Sequence, residues 1–143
     1  MSQERANQFL TLAGRLFIGT AREDEVASHL QPPPDWDRLL QTAEREGMAG
    51  ILAIQLQRLS REHDLKLPMA PFSEALRHTF ARNGNHIAEL SRLRESLRKN
   101  SIQAIVLKGG ALIETSYGGQ IGLRPLSDVD LLVKPSDIPV IHK

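Results

Sequence analysis

The stretch from residue 101 to residue 134 constrains the fold of this chain more than any other part of its sequence. It begins with an apolar run rich in β-branched residues, at 102–107, which is long enough for a buried strand and too short for a helix. A helix-compatible segment follows at 111–117, and a second apolar run occupies 131–133. This order predicts a strand–helix–strand unit, which is the start of an α/β core.

Two glycines, Gly109 and Gly110, lie between the first predicted strand and the predicted helix. Because glycine has no Cβ atom, the backbone can turn tightly here and let a phosphate approach its N–H groups. The helix that follows presents free N–H groups and a positive dipole end at the same place. Lys108 could add a full positive charge. We therefore predict that this turn can bind phosphate, although most glycine pairs considered alone are simple turns.

Two acidic residues, Asp128 and Asp130, stand on either side of Val129 just before the second apolar run. On a strand, side chains two residues apart lie on the same face, so both carboxylates would point the same way. Two like charges held that close are unfavourable unless a cation lies between them. Oxygen ligands of this kind suit Mg²⁺, which takes one or two carboxylates together with substrate phosphates. Considered alone, an Asp-x-Asp segment is more often a solvated strand end.

The two features together are typical of a phosphoryl-transfer site, in which metal ions bridge phosphate oxygens. The sequence around them resembles the nucleotidyltransferase superfamily with the DNA polymerase β-like catalytic fold, and more closely a bacterial branch of it. The matching positions are Leu107-Lys108-Gly109, Tyr117, Leu123-Arg124-Pro125 and Ser127-Asp128-Val129-Asp130-Leu131-Leu132-Val133. This resemblance implies an α/β (α+β) fold, with a helical N-terminal region followed by the start of a mixed-sheet nucleotidyltransferase core.

The same resemblance implies a reaction in which a substrate hydroxyl attacks the α-phosphorus of a nucleoside triphosphate and pyrophosphate leaves. Asp128 and Asp130 would be the catalytic carboxylates and would hold Mg²⁺. The residues expected to bind the nucleotide are Lys108, Gly109, Gly110, Arg124 and Ser127. For Lys108 and Arg124 an alternative stays open, in which each pairs with Asp128, Asp130 or Glu114 instead of the triphosphate. The acceptor substrate and the preferred base are not indicated.

The resemblance also implies a third carboxylate on a later strand, whereas the sequence ends at Lys143, shortly after the second predicted strand. Asp137 is the only later acid, and Pro135-Ser136 before it predict a turn into a helix. Two interpretations stay open: a fragment of an active enzyme, or a truncated relative. The alternative function is a non-catalytic helical interaction or regulatory module with an incomplete nucleotide site.

The first hundred residues predict helices and turns. Apolar periodicity indicates helices at 4–18, 36–46, 48–60 and 71–99, and a capping-box pattern starting at Thr20 indicates a short one before Pro32-Pro33-Pro34. Asp35 is placed to cap the third helix, and Trp36 is interpreted as a core residue. The last helix has an apolar stripe, with a weak point at Gly84 and Asn100 as its left-handed cap; the stripe comprises Leu76, Phe80, Ile87, Leu90, Leu93 and Leu97. The predicted division is therefore 1–100 and 101–143.

Composition limits the partners. The net charge of +1 gives no bulk attraction to nucleic acid or to a membrane surface, and no apolar run is long enough to span a bilayer. The absence of cysteine excludes disulfides and fits a cytoplasmic location. We expect a nucleoside triphosphate as substrate, no membrane partner and no nucleic-acid partner. A free sheet edge after Val133 further predicts self-association.

Overall fold

Helices make up most of the chain in this computed structural model, which describes residues 3–141. The chain forms two compact units, and the division between them falls inside the longest helix, between Thr79 and Phe80. The boundary that the sequence predicts, at 100/101, lies where the predicted strands begin, and it stays a prediction. The combination of helices with a small antiparallel sheet confirms the predicted fold class.

The first unit is helical. It contains α1 (Gln3–Phe17), α2 (Glu23–Ser28), α3 (Trp36–Arg45), α4 (Ala49–Glu62) and the first part of α5 (Met69–Lys99). Its core is formed by buried apolar residues from each of these helices, including Phe9, Val26, Leu39, Leu56 and Phe72. The indole of Trp36 packs edge-on against the ring of Phe72, with centroids 6.0 Å apart. This contact supports the interpretation of Trp36 as a core residue.

The helix ends explain where the sequence patterns succeed and fail. The side chain of Asp35 accepts a hydrogen bond from the backbone N–H of Arg38, which confirms the predicted cap. The capping box predicted from Thr20 is wrong, because α2 begins after Arg22 and has no side-chain cap. Helix α5 runs through Gly84 without a break. The left-handed residue after α5 is Ser101, with φ of 56°, and not Asn100.

The second unit contains β1 (Ala104–Val106), α6 (Lys108–Thr115), β2 (Leu131–Val133), a 3₁₀ turn at Pro135–Asp137 and α7 (Ile138–Ile141). The strands pair antiparallel, with Ala104 opposite Val133 and Val106 opposite Leu131. Its buried apolar residues come from the later part of α5, from α6 and from the segment before β2, and they are Leu90, Leu97, Ile113, Leu123 and Leu126.

One cross-strand pair of the sheet is apolar and open to solvent. Ile105 and Leu132 face each other in the register, and they are 62% and 54% exposed. Such a pair is compatible with the predicted self-association, which stays a prediction. Within the described part of the chain, no helix combines the length and apolar character needed to cross a bilayer.

Candidate active site

The antiparallel pairing brings the glycines and the acids to the same end of the sheet. Because Val106 lies opposite Leu131, the residues that follow β1 are adjacent to the residues that precede β2. The backbone N–H of Leu107 donates to the carbonyl of Asp130 at 2.9 Å and extends the ladder beyond the strands. Two segments separated by about twenty residues in sequence therefore meet at one point.

Lys108 forms an ion pair with Asp130 at this point. The Lys108 Nζ lies 3.0 Å from Asp130 Oδ2, and the lysine side chain is 73% exposed against 34% for the aspartate. The hydrogen bond to Asp130, the charge of Asp130 and, to a smaller extent, the charge of Asp128 raise the pKa of Lys108 above its ordinary value. The lysine is thus charged at neutral pH, and the stability that its raised pKa contributes is fully present below the ordinary pKa of lysine and is lost as the pH rises through the raised pKa.

The two acids lie in the irregular segment just before β2, so the prediction that they lie on the strand itself is wrong. Their placement therefore does not follow from strand alternation. The Asp128 carboxylate is nevertheless close enough to act electrostatically on the same lysine that Asp130 binds. The Ser127 hydroxyl donates to Asp128 Oδ1 at 3.1 Å. Lys108 thus interacts with both carboxylates. Of the alternatives that the sequence left open for Lys108, the structure has the pairing with an acid, Asp130.

The glycines belong to the first turn of α6 and not to a loop ahead of it, because the helix begins at Lys108 where the sequence predicted residue 111. This shift leaves their N–H groups in the turn where an α-helix lacks internal acceptors. A Cβ atom at Gly110 would lie 2.8 Å from Val106 Cγ1, and one at Gly109 would lie 2.7 Å from Leu126 Cδ2. Gly110 is therefore required for close packing against Val106, whereas a side chain at position 109 would require the end of the Leu126 side chain to shift.

Arg124 reaches the same turn from the segment before the acids. Its Nε lies 3.9 Å from the position that a Cβ of Gly109 would take, and the residue is exposed. Among residues 3–141, Arg124 takes part in no ion pair with Asp128, Asp130 or Glu114. Arg124 therefore lies near Gly109, Val106 lies close to Gly110, and Lys108 pairs with Asp130. This arrangement places predicted nucleotide-binding residues beside the acids.

Asn83, a fully buried polar residue on α5 that binds the backbone of residues 121–126, was not among the residues predicted from the sequence. A signal was present, because position 83 falls on the apolar stripe of α5, three residues after Phe80 and four before Ile87. A lone asparagine in such a stripe indicates a buried polar group that needs partners.

The chemistry of the donor set can be compared with what Mg²⁺ requires, although the Mg²⁺ site itself stays a prediction. A cation, the Lys108 ammonium, already lies against the carboxylate of Asp130 and within the field of Asp128. Two carboxylates completed by water and substrate phosphates are a common Mg²⁺ environment. In residues 3–141 no group of three acidic or histidine side chains is arranged to hold a metal. Asp137 lies in the 3₁₀ turn, as its sequence context predicted.

Comparison with known proteins identifies the family. A family model described as an uncharacterised nucleotidyltransferase matches residues 32–143, which is most of the chain and includes the glycine turn and both acids. No curated protein and no solved structure gives a significant match. The extent of the family match, together with the meeting of the glycine turn and the acids, leads to one conclusion: this chain belongs to the nucleotidyltransferase family that the model describes.

Proposed function

We propose that this protein is a Mg²⁺-dependent nucleotidyltransferase that transfers a nucleoside monophosphate from a nucleoside triphosphate to a hydroxyl of an acceptor. The observation that carries the proposal is the ion pair of Lys108 with Asp130 beside the glycine turn. The Asp130 carboxylate of this pair is suited to bind a metal cation, and the Lys108 ammonium group is suited to bind a phosphate. A cytoplasmic location, where nucleoside triphosphates are abundant, stays a prediction.

Asp128 and Asp130 are the residues that would hold Mg²⁺. When bound, the ion supplies positive charge that neutralises the phosphate oxygens and favours departure of pyrophosphate. Ser127 supports this role of Asp128, because its hydroxyl donates to one carboxylate oxygen and leaves the other available. Asp130 is held through its own backbone carbonyl, which accepts a hydrogen bond from the N–H of Leu107.

The positive groups of the site bind the triphosphate. The backbone N–H groups at Gly109 and Gly110 form the first turn of α6, where the helix dipole favours negative charge. Lys108 can exchange Asp130 for a phosphate oxygen, because its long side chain is mostly exposed and free to reorient. Arg124 lies against Gly109 and can provide a second cation on the same phosphates.

Transfer also requires a group that accepts the proton of the attacking hydroxyl. The described residues offer no third carboxylate grouped with Asp128 and Asp130, and we assign this role to none of them. Nucleotide binding is therefore the step that residues 3–141 account for most fully, and the decisive test addresses it directly.

Calorimetric titration of the wild-type protein with ATP and with GTP tests the proposal. We expect binding of at least one nucleotide in the presence of Mg²⁺ and a large loss of affinity when EDTA removes the ion, since the phosphates then meet two carboxylates whose charge Lys108 compensates only in part. Absence of binding at millimolar nucleotide with Mg²⁺ would contradict the proposed function for this chain.

Replacing Lys108 by glutamine should change the affinity for Mg²⁺ alone and the affinity for the Mg²⁺–nucleotide complex in opposite directions. Without the ammonium group, Mg²⁺ alone no longer competes with a resident cation and should bind about two- to fivefold more tightly. The Mg²⁺–nucleotide complex loses a charged hydrogen bond and should bind about tenfold more weakly. NMR titrations with MgCl₂ alone and with the complex measure both. A parallel change in the two affinities would show that Lys108 does not exchange between Asp130 and phosphate.

A further inference from the structure

A single buried side chain holds the segment that leads to the two acids. Asn83, on α5, has no exposed surface. Its Nδ2 donates to the carbonyls of Ile121 and Arg124 at 2.5 and 2.6 Å, and its Oδ1 accepts from the N–H of Leu126 at 2.9 Å. Two acceptors and one donor also fix which end of the amide is nitrogen and which is oxygen.

These bonds replace backbone pairing where regular structure is absent. Residues 121–126 contain neither helix nor strand, yet Leu123 and Leu126 are almost completely buried. Buried backbone polar groups need partners, because an unpaired one costs about as much as a lost hydrogen bond. The Asn83 amide supplies partners to three of them from one rigid point on a helix. The path of the segment is therefore fixed by Asn83 on α5 together with a backbone turn bond from Leu123 N–H to the Gln120 carbonyl.

The fixed segment contacts the glycine turn on one side and continues into the acids on the other. The Leu126 side chain packs where a Cβ of Gly109 would lie, and Arg124 Nε lies next to the same position. The hydrogen bonds of Asn83 go to the backbone of these same two residues, Arg124 and Leu126. Ser127 and Asp128 come directly after Leu126.

We propose that Asn83 is a positioning residue for nucleotide binding, which sets the distance between the glycine turn, Arg124 and the Asp128 carboxylate through its three bonds to residues 121–126. This inference rests on the proposed function for its consequence in binding, although its local structural part stands by itself. Small displacements of binding groups are costly, so loosening the segment reduces affinity without removing any group that touches the nucleotide.

The test compares two variants in which one buried side chain of α5 is replaced by alanine, one beside residues 121–126 and one away from them. Asn83→Ala removes the three bonds, whereas Leu97→Ala removes a buried side chain near the start of β1, away from the glycine turn. Both should lower the urea midpoint of the second unit. Only Asn83→Ala should weaken Mg²⁺–nucleotide binding, by about tenfold or more, at a temperature where both variants are folded. Equal binding losses in the two variants would overturn the proposal.

Hydrogen exchange and amide chemical shifts keep the test independent of nucleotide binding. In the wild-type protein the Leu126 amide should be protected, and rapid exchange there would overturn the proposal without any variant. Asn83→Ser, which retains a small polar group, should release this amide and shift the amide resonances of Lys108 and Gly109, whereas Leu97→Ala should not. If the wild-type protein binds no nucleotide but these local effects occur, the proposed function fails and the positioning by Asn83 is retained. If the wild-type protein binds nucleotide but the local effects are absent, the proposed function is retained and the positioning by Asn83 fails.

Discussion

Replacing Asp128 and Asp130 together by asparagine is expected to abolish Mg²⁺-dependent nucleotide binding. Both acids contribute to the field at Lys108, and Asp130 binds it directly. The amides retain the size of the acids but lose the two negative charges that a divalent cation requires. Loss of metal ligands should reduce affinity for the Mg²⁺–nucleotide complex by at least about 100-fold, measured by calorimetry under the conditions used for the wild-type protein.

The control for this pair is Glu114→Gln, which removes one exposed negative charge from α6 and therefore changes the charge near the site without touching the acids. Its affinity should stay close to that of the wild type. The double variant should also remain folded, because Asp128 is exposed and Asp130 is only partly buried. Wild-type binding by the double variant, or an equal loss in Glu114→Gln, would refute the assigned role of the two acids.

Replacing Gly110 by alanine is expected to destabilise the second unit and to weaken nucleotide binding. The new methyl group would lie 2.8 Å from Val106 Cγ1, well inside normal contact distance. Val106 cannot easily move aside, because its branched side chain has few allowed rotamers and its backbone is paired with Leu131. Relief therefore has to come from a shift of the first turn of α6. Overpacking of this kind costs about 1–3 kcal/mol of unfolding free energy.

The matched control is Gly84→Ala, another glycine-to-alanine change inside a helix of the same unit. A Cβ at Gly84 meets no atom within 4 Å, so this variant should be stabilised by about 0.5–1 kcal/mol. Hydrogen exchange at the Ile113 amide measures the unfolding free energy of the second unit. The fluorescence of Trp36 reports unfolding of the first unit, whose stability should not change. An unfolding free energy for Gly110→Ala equal to or above that of the wild type would contradict the close packing at this turn.

Much of the architecture could be predicted because local rules act strongly on this sequence. The helices of the first unit follow from apolar periodicity, and the start of α3 follows from the capping side chain of Asp35. The proximity of the glycines to the acids follows from the pairing of two short apolar runs, although the first strand is mostly exposed and not buried as its sequence predicted. Once they pair antiparallel, the end of the first and the beginning of the second must be adjacent.

The remaining features depend on interactions between residues distant in sequence. Nothing local to Asn83 shows that its partners lie about forty residues later. The start of α6 at Lys108, with a backbone φ of 49°, reflects the ion pair and the packing around Gly109 more than helix propensity. The strand β2 covers only the apolar run Leu131–Val133, and the acids before it are joined to the end of β1 by one further hydrogen bond, from Leu107 to Asp130.

The left-handed backbone of Lys108 has a consequence for how this position can vary. For a residue with a Cβ, that conformation is unfavourable by about 1–2 kcal/mol, whereas glycine adopts it freely. Glycine at this position would relax the bend and lose the cation, while arginine would retain the cation and the strain. At this position the need for a cation therefore outweighs the backbone strain, and among the other amino acids arginine is the one that would supply the same permanent charge.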